Sequence, residues 1–184
     1  MQDDRYSLPQ RWLHWIIALL VLAALGAGIL FFTLGFDGLM KTFGGDLTNA
    51  IYKYHKTAGV LVLALMLLRL VLLIRLGAPP KPESLTPPER ILATGVQHLL
   101  YLMLIALPIL GWAATAAGGY PVEFFNWTLP GLLAKDPALS ETLFALHGLA
   151  ALAVAGLIGL HIAGALWHWL IKKDGVMRRM SLFG

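Results

Sequence analysis

An all-α integral membrane protein, a four-helix bundle with both termini in the cytoplasm, is the fold this sequence predicts, and three observations predict it. Residues 9–34, 48–76, 89–117 and 138–171 are each apolar over the ~20 or more positions needed to cross a bilayer. Charged residues make up 13% of the chain and hydrophobic ones 58%, whereas a soluble domain carries about 25% charge. The apolar stretches are bounded by helix start and stop signals. The 184 residues are therefore read as one membrane domain, 1–184, with little length left for a soluble module.

Each element has its own warrant. Ser7-Leu8-Pro9-Gln10 fits a capping box with proline in the first turn, where its missing N–H costs nothing. The run that follows is longer than the ~7–15 residues of a signal-peptide core, so it is read as a retained span. Asp46 is the capping candidate for the second helix. Between residues 77 and 88 stand Pro79, Pro80, Pro82, Pro87 and Pro88, the composition of an extended, semi-rigid strap. Thr86-Pro87-Pro88-Glu89 repeats the capping signature for helix three, and Pro108 is expected to bend that helix. Asp136-Pro137 starts helix four, with Gly118-Gly119 and Gly175 as stops for helices three and four.

Charge sets the orientation. With four crossings, the termini and the strap share one side, which carries Arg5, Arg11, Arg75, Lys81, Arg90, Lys172, Lys173, Arg178 and Arg179. The other side has Lys41, Lys53, Lys56 and Lys135. This asymmetry places both termini in the cytoplasm and accounts for the net charge of +4 without a nucleic-acid partner. Trp12, Trp15, Trp127, Trp167 and Trp169 fall mostly at span ends, as an aromatic belt would.

Histidine is the residue type that points to chemistry. His14, His55, His98, His147, His161 and His168 all fall in or beside apolar runs, where an imidazole must find a partner or bear its desolvation. His147 and His161 are fourteen positions apart on the last helix. At ~100° and ~1.5 Å per residue they lie within ~40° of one face and ~21 Å apart along it. One helix can therefore serve two sites, one toward each membrane surface. Depth selects their partners. His14 lies ~10 Å into helix one from the cytoplasmic end and His55 ~14 Å into helix two from the periplasmic end. The match is His14 with His161 and His55 with His147. Two bis-histidine sites in a helix bundle suit low-spin haem b, a carrier of single electrons. Cysteine is absent, which removes disulfides, iron–sulfur clusters and covalent c-type haem attachment.

The remaining candidates keep more than one reading. His98 lies ~18 Å into helix three, deep enough to compete with His14. His168, seven positions beyond His161, and His98 are equally suited to donate to a quinone carbonyl or to shuttle its proton, or to be packed imidazoles. Arg69, the one basic residue assigned to neither side, lies within helix two and fits a haem propionate or a lipid phosphate reached by snorkelling. Lys53 and Lys56 flank His55, where they could hold propionates, attract an anion or form a solvated rim. Gly59 and Gly164, near the ligand faces, would give a flat ring room or serve ordinary helix packing. A zinc or proton pathway is a second class, but no Asp or Glu lies deep in a span to complete it. A structural anchor subunit is a third.

Taken in order, several motifs together resemble the bacterial cytochrome b561 family. They are Arg11-Trp12-Leu13-His14-Trp15, Tyr54-His55-Lys56-Thr57-Ala58-Gly59, His98-Leu99-Leu100-Tyr101 leading to Leu107-Pro108-Ile109-Leu110-Gly111, His147-Gly148, and His161-Ile162-Ala163-Gly164-Ala165 with His168. The tail Asp174-Gly175-Val176-Met177-Arg178-Arg179-Met180 is similar too. The resemblance implies a four-helix inner-membrane protein with two haems b, ligated at His14, His55, His147 and His161, that exchanges electrons with ubiquinone. One branch of that family is superoxide oxidase, which passes an electron from periplasmic superoxide to ubiquinone; similar proteins are cytochrome b subunits of dehydrogenases or hydrogenases. The segments on the Lys53 side sum to a charge of −1, so only the local Lys53/Lys56 pair favours an anionic donor. The partners expected are lipid, a quinone, and superoxide or a periplasmic redox protein; a homodimer stays open.

Overall fold

A computed structural model describes residues 4–183. Three long helices carry the chain: α1 (Leu8–Leu76), α2 (Pro87–Ala117) and α3 (Pro137–Leu166). Two short strands, β1 (Val122–Phe124) and β2 (Trp127–Leu129), lie between α2 and α3. The end of α3 runs on as a π-helical turn over Trp167–Lys172, and a 3-10 turn follows at Val176–Arg179.

The separate stretches expected at 9–34 and 48–76 are one helical run in the structure, interrupted at Gly35 (φ 62°, ψ −178°) and Gly44 (φ 75°, ψ 172°). Both conformations are essentially confined to glycine. Around them the run doubles back: Phe31 stacks on Tyr52 with ring centroids 4.2 Å apart, and the Arg69 guanidinium donates to the Gln10 carbonyl at 2.8 Å. The second arm thus starts from a backbone break, with Asp46 inside the helix rather than capping it. A Cβ at either glycine would meet nothing within 4 Å, so any cost of adding one comes from the backbone alone. Gly35→Ala and Gly44→Ala are each expected to cost about 1–3 kcal/mol, read as a lower thermal midpoint in detergent.

The other start signals act as expected. The Ser7 amide and hydroxyl both donate to Gln10 Oε1, at 3.1 and 2.8 Å, and those of Thr86 to Glu89 Oε2, at 2.8 and 2.9 Å. Asp136 Oδ1 accepts from the Leu139 N–H at 3.1 Å. Helix α2 continues through Pro108 and stops at Gly118-Gly119, the latter at φ 76°. The final helix ends before Gly175, with Lys173 in the left-handed region at φ 53°.

All three long helices are apolar enough to cross a membrane. Their outer faces expose Leu19, Phe32, Ile74, Ile91, Leu102 and Leu149. Water would penalise so large an apolar surface and lipid does not, so the chain is a membrane protein. Inside, Leu13, Ile17, Val21, Val62 and Met66 form the core that clamps the two arms of α1, with Tyr101, Leu104, Ile105 and Ile158 packed against it. Both chain ends and the proline strap meet at one end of the molecule. The Tyr6 N–H donates to the Arg179 carbonyl, Arg11 to Ser181, Trp15 to Met180, and the Gln10 amide to Gly77. Arg179 also donates to the Pro80 carbonyl and the Ser84 hydroxyl to Asp174.

The hairpin at the opposite end has no counterpart in the sequence reading. Phe124 pairs with Trp127, which leaves the two-residue turn Phe125-Asn126, with Phe125 at φ 54°. That unfavourable conformation is held from outside. The Phe125 N–H donates to the Thr57 hydroxyl at 3.1 Å, which itself donates to the Glu123 carbonyl at 3.4 Å.

Candidate functional site

Helix α3 packs mainly on α2 and touches α1 far less. Two pairs of imidazoles bridge the space between α1 and α3. The rings of His14 and His161 have centroids 6.1 Å apart, and those of His55 and His147 6.3 Å. All four rings are half-buried. The pairs recur on α3 fourteen residues apart because an α-helix returns near the same face after four turns; the two arms of α1, running oppositely, each supply one partner.

The spacing has a chemical meaning. An imidazole–metal bond is about 2.0 Å and the ring centre lies roughly 1 Å beyond the nitrogen, so two imidazoles on opposite sides of one metal have centroids about 6 Å apart. The protons agree. His55 Nδ1 lies 3.1 Å from the Ala24 carbonyl and His147 Nδ1 3.1 Å from that of Leu107. A carbonyl only accepts, so both Nδ1 atoms carry hydrogen and both Nε2 atoms keep a bare lone pair. Two such lone pairs in apolar surroundings call for a Lewis acid between them. Among the described residues no group of three or more metal-binding side chains comes together, so two imidazoles need the rest of a coordination sphere from the cofactor itself. A porphyrin supplies it, and the residues present fit one: Gly59 and Gly164 beside the ligands have open space where a Cβ would stand.

Around the pairs the other candidates divide. Arg69 lies over the Tyr101 ring with its Cζ 5.8 Å from the centroid and donates to the Gln10 carbonyl, one helical turn before His14. Lys56 is paired with Glu123 at 2.5 Å and donates to the Pro121 carbonyl at 2.9 Å, so its charge is compensated. Lys53 donates to the neutral Asn126 side chain at 3.1 Å and keeps its charge. His98 is exposed on the outer face of α2 and makes no ring contact with either pair. His168 stands apart from both pairs as well. It sits buried in the π-helical turn, with Nδ1 donating to Asp174 Oδ2 at 2.6 Å. Burial pushes the Asp174 carboxyl up, but hydrogen bonds from His168, the Ser84 hydroxyl and the Val176 N–H outweigh it and hold the group below the usual aspartate value. His168 and Asp174 line a cavity of about 880 Å³ with Trp169, Lys173, Met177 and Arg178.

Sequence reasoning missed three contributors. Ala24 and Leu107 act through main-chain carbonyls, which leave no mark in composition. Gly111 is the third: a Cβ there would stand 2.9 Å from His147 Cε1. The motif around Pro108 carried Gly111 without revealing its contact.

The chain is similar to known proteins over nearly its whole length. The family model for prokaryotic cytochrome b561 matches residues 5–181. Cytochrome b561 homolog 2 of Escherichia coli strain K12 is 30% identical over 180 residues, covering 96% of this chain and 91% of the relative. The probable superoxide oxidase CybB of Yersinia pestis is 30% identical over 96% of this chain and 95% of its own length. Cytochrome b562 of Cereibacter sphaeroides is 31% identical, with 97% and 96% covered. With a family model spanning nearly every residue, the chain belongs to the prokaryotic cytochrome b561 family, membrane cytochromes that bind haem b.

Proposed function

We propose that this protein is a di-haem electron carrier of the bacterial inner membrane, with four crossings and cytoplasmic termini, that moves electrons from a periplasmic donor to ubiquinone. The observation that carries the reading is the recurrence of an imidazole pair on α3, His147 with His55 and His161 with His14, at metal-bridging separation. His14 with His161 and His55 with His147 would hold haem b, which would supply a one-electron relay.

The residues at the two ends divide the remaining work. At the hairpin end Lys53, with its charge uncompensated, draws an anionic donor toward His55, while Lys56 in its pair with Glu123 holds the hairpin. Superoxide is the donor this favours, and the Yersinia relative is named a probable superoxide oxidase. Two superoxide anions, one ubiquinone and two protons give two dioxygen molecules and one ubiquinol. At the other end the cavity beside His168 takes the quinone headgroup. His168 is held by Asp174 through Nδ1, which leaves Nε2 to pass a proton to the reduced quinone, and Asp174 stabilises the imidazolium in between. Arg69, held on the Gln10 carbonyl, places a positive charge beside the site between His14 and His161. His98 is assigned no part in this reading.

Anaerobic mixing of the oxidised, haem-loaded protein with superoxide tests it. Haem reduction close to the diffusion limit is the expected result. Lys53→Glu is expected to slow that step about tenfold at low salt, and Lys56→Gln less. A protein that superoxide leaves oxidised has a different donor, as a cytochrome b subunit of a dehydrogenase or hydrogenase would.

A further inference from the structure

The two imidazole pairs differ in what stands behind them. His55 and His147 each donate Nδ1–H to a main-chain carbonyl, of Ala24 and Leu107. A carbonyl accepting that proton makes the imidazole a stronger electron donor and favours the oxidised metal. Beside His14 and His161 stands a cation instead. The Arg69 guanidinium is fixed one helical turn from His14, donating to the Gln10 carbonyl at 2.8 Å. Gln10 is only 3% exposed, and its own amide is tied to Gly77 at 3.0 Å. Arg69, itself half-buried, is thus tied to the protein and is not free to snorkel toward lipid phosphate. A fixed positive charge in a low-dielectric interior favours the state that has gained an electron.

We infer that Arg69, acting against the carbonyls of Ala24 and Leu107 at the other site, makes the haem between His14 and His161 the more easily reduced of the two, and so gives transfer its direction. An electron accepted at the His55–His147 site then runs downhill to the His14–His161 site, with the donor oxidised by one electron and the second site reduced by one. This inference rests on the di-haem reading above and adds what drives transfer in the direction which that reading gives it.

Redox titration of the purified haem-loaded protein, followed optically, is the test. Two components are expected. In Arg69→Gln, which keeps an N–H donor for the Gln10 carbonyl and loses the charge, the reduced-to-oxidised ratio of the higher-potential component is expected to fall about tenfold at fixed ambient potential. That is a shift of about 59 mV for a one-electron couple. The lower component should stay in place, and Arg69→Lys should restore most of the shift. Separately, His55→Ala should remove the lower-potential component and leave the higher one. Loss of the higher component in His55→Ala overturns the inference, as does an Arg69→Gln protein with both haems whose higher component is unmoved. If Arg69→Gln fails to hold haem, the His55→Ala titration decides alone. A wild-type haem content other than two per chain would sink the di-haem reading instead, so the two failures appear in different measurements.

Discussion

Replacing His55 or His147 with alanine is expected to remove one haem and spare the other. Each ring stands 6.3 Å from its partner and holds its Nδ1 proton on a carbonyl of a neighbouring helix. Deleting one imidazole halves the axial bonding at that site alone. The second pair, on the same α3 but fourteen residues on, keeps its own ligands from the other half of α1. A pyridine haemochrome assay should therefore fall from about two haems per chain to about one, with the survivor still low-spin. His14→Ala and His161→Ala should remove the complementary component. Retention of both haems in His55→Ala and His147→Ala would break the pairing proposed here.

Gly111→Ala is expected to imitate the loss of His147 without touching a ligand. The added methyl would stand 2.9 Å from His147 Cε1 and 3.1 Å from its Nδ1, closer than carbon and nitrogen approach without moving. The ring must swing away, and its bond to the Leu107 carbonyl goes with it. Loss of a group that orients a metal-bound histidine costs about 10–100-fold in affinity, so the haem between His55 and His147 should be largely lost or released on dilution. Gly95→Ala, on the same helix with nothing within 4 Å of the new methyl, is the control and should retain both haems. Equal haem content in the two variants would mean that His147 tolerates displacement and that α2 does not set its position.

Helix α2 supplies no ligand in this scheme, yet it orients one through Leu107 and Gly111. It thereby explains a stretch that looked in sequence like a proline kink alone. The strap and the two chain ends have a comparable role at the opposite end. Through Ser84, Asp174 and Arg179 they fasten the π-helical turn that buries His168. The cavity beside that histidine therefore depends on residues distant in sequence.

Much of the helical framework was legible because its causes are local. The capping boxes at Ser7 and Thr86 and the Asp136 cap act within four residues of themselves. The helical repeat sets His147 and His161 on one side of α3 whatever surrounds them. The break at Gly35 and Gly44 was less legible, since glycine is common in membrane helices and only the fold-back distinguishes a hinge from a packing surface. The hairpin was not legible at all: three-residue strands carry too little periodicity, and Phe125 holds its left-handed backbone only because Thr57, some seventy positions away, accepts its N–H. The same separation hid the state of the two lysines. Next to His55 they look equivalent in sequence, and only the hairpin gives Lys56 a carboxylate and Lys53 a neutral amide.

Taken by itself, the sequence determined that this chain lives in a membrane, that its helices begin where their caps stand, and that histidines recur on one side of the last one. These follow from transfer energies and from the geometry of a single helix, which need no neighbour. Tertiary structure decided which groups stand behind each imidazole: main-chain carbonyls for His55 and His147, a half-buried guanidinium near His14 and its partner His161, a carboxylate for His168. Such assignments depend on which backbone atoms and charges different helices bring within a few ångströms, and a linear pattern of residue types does not encode that.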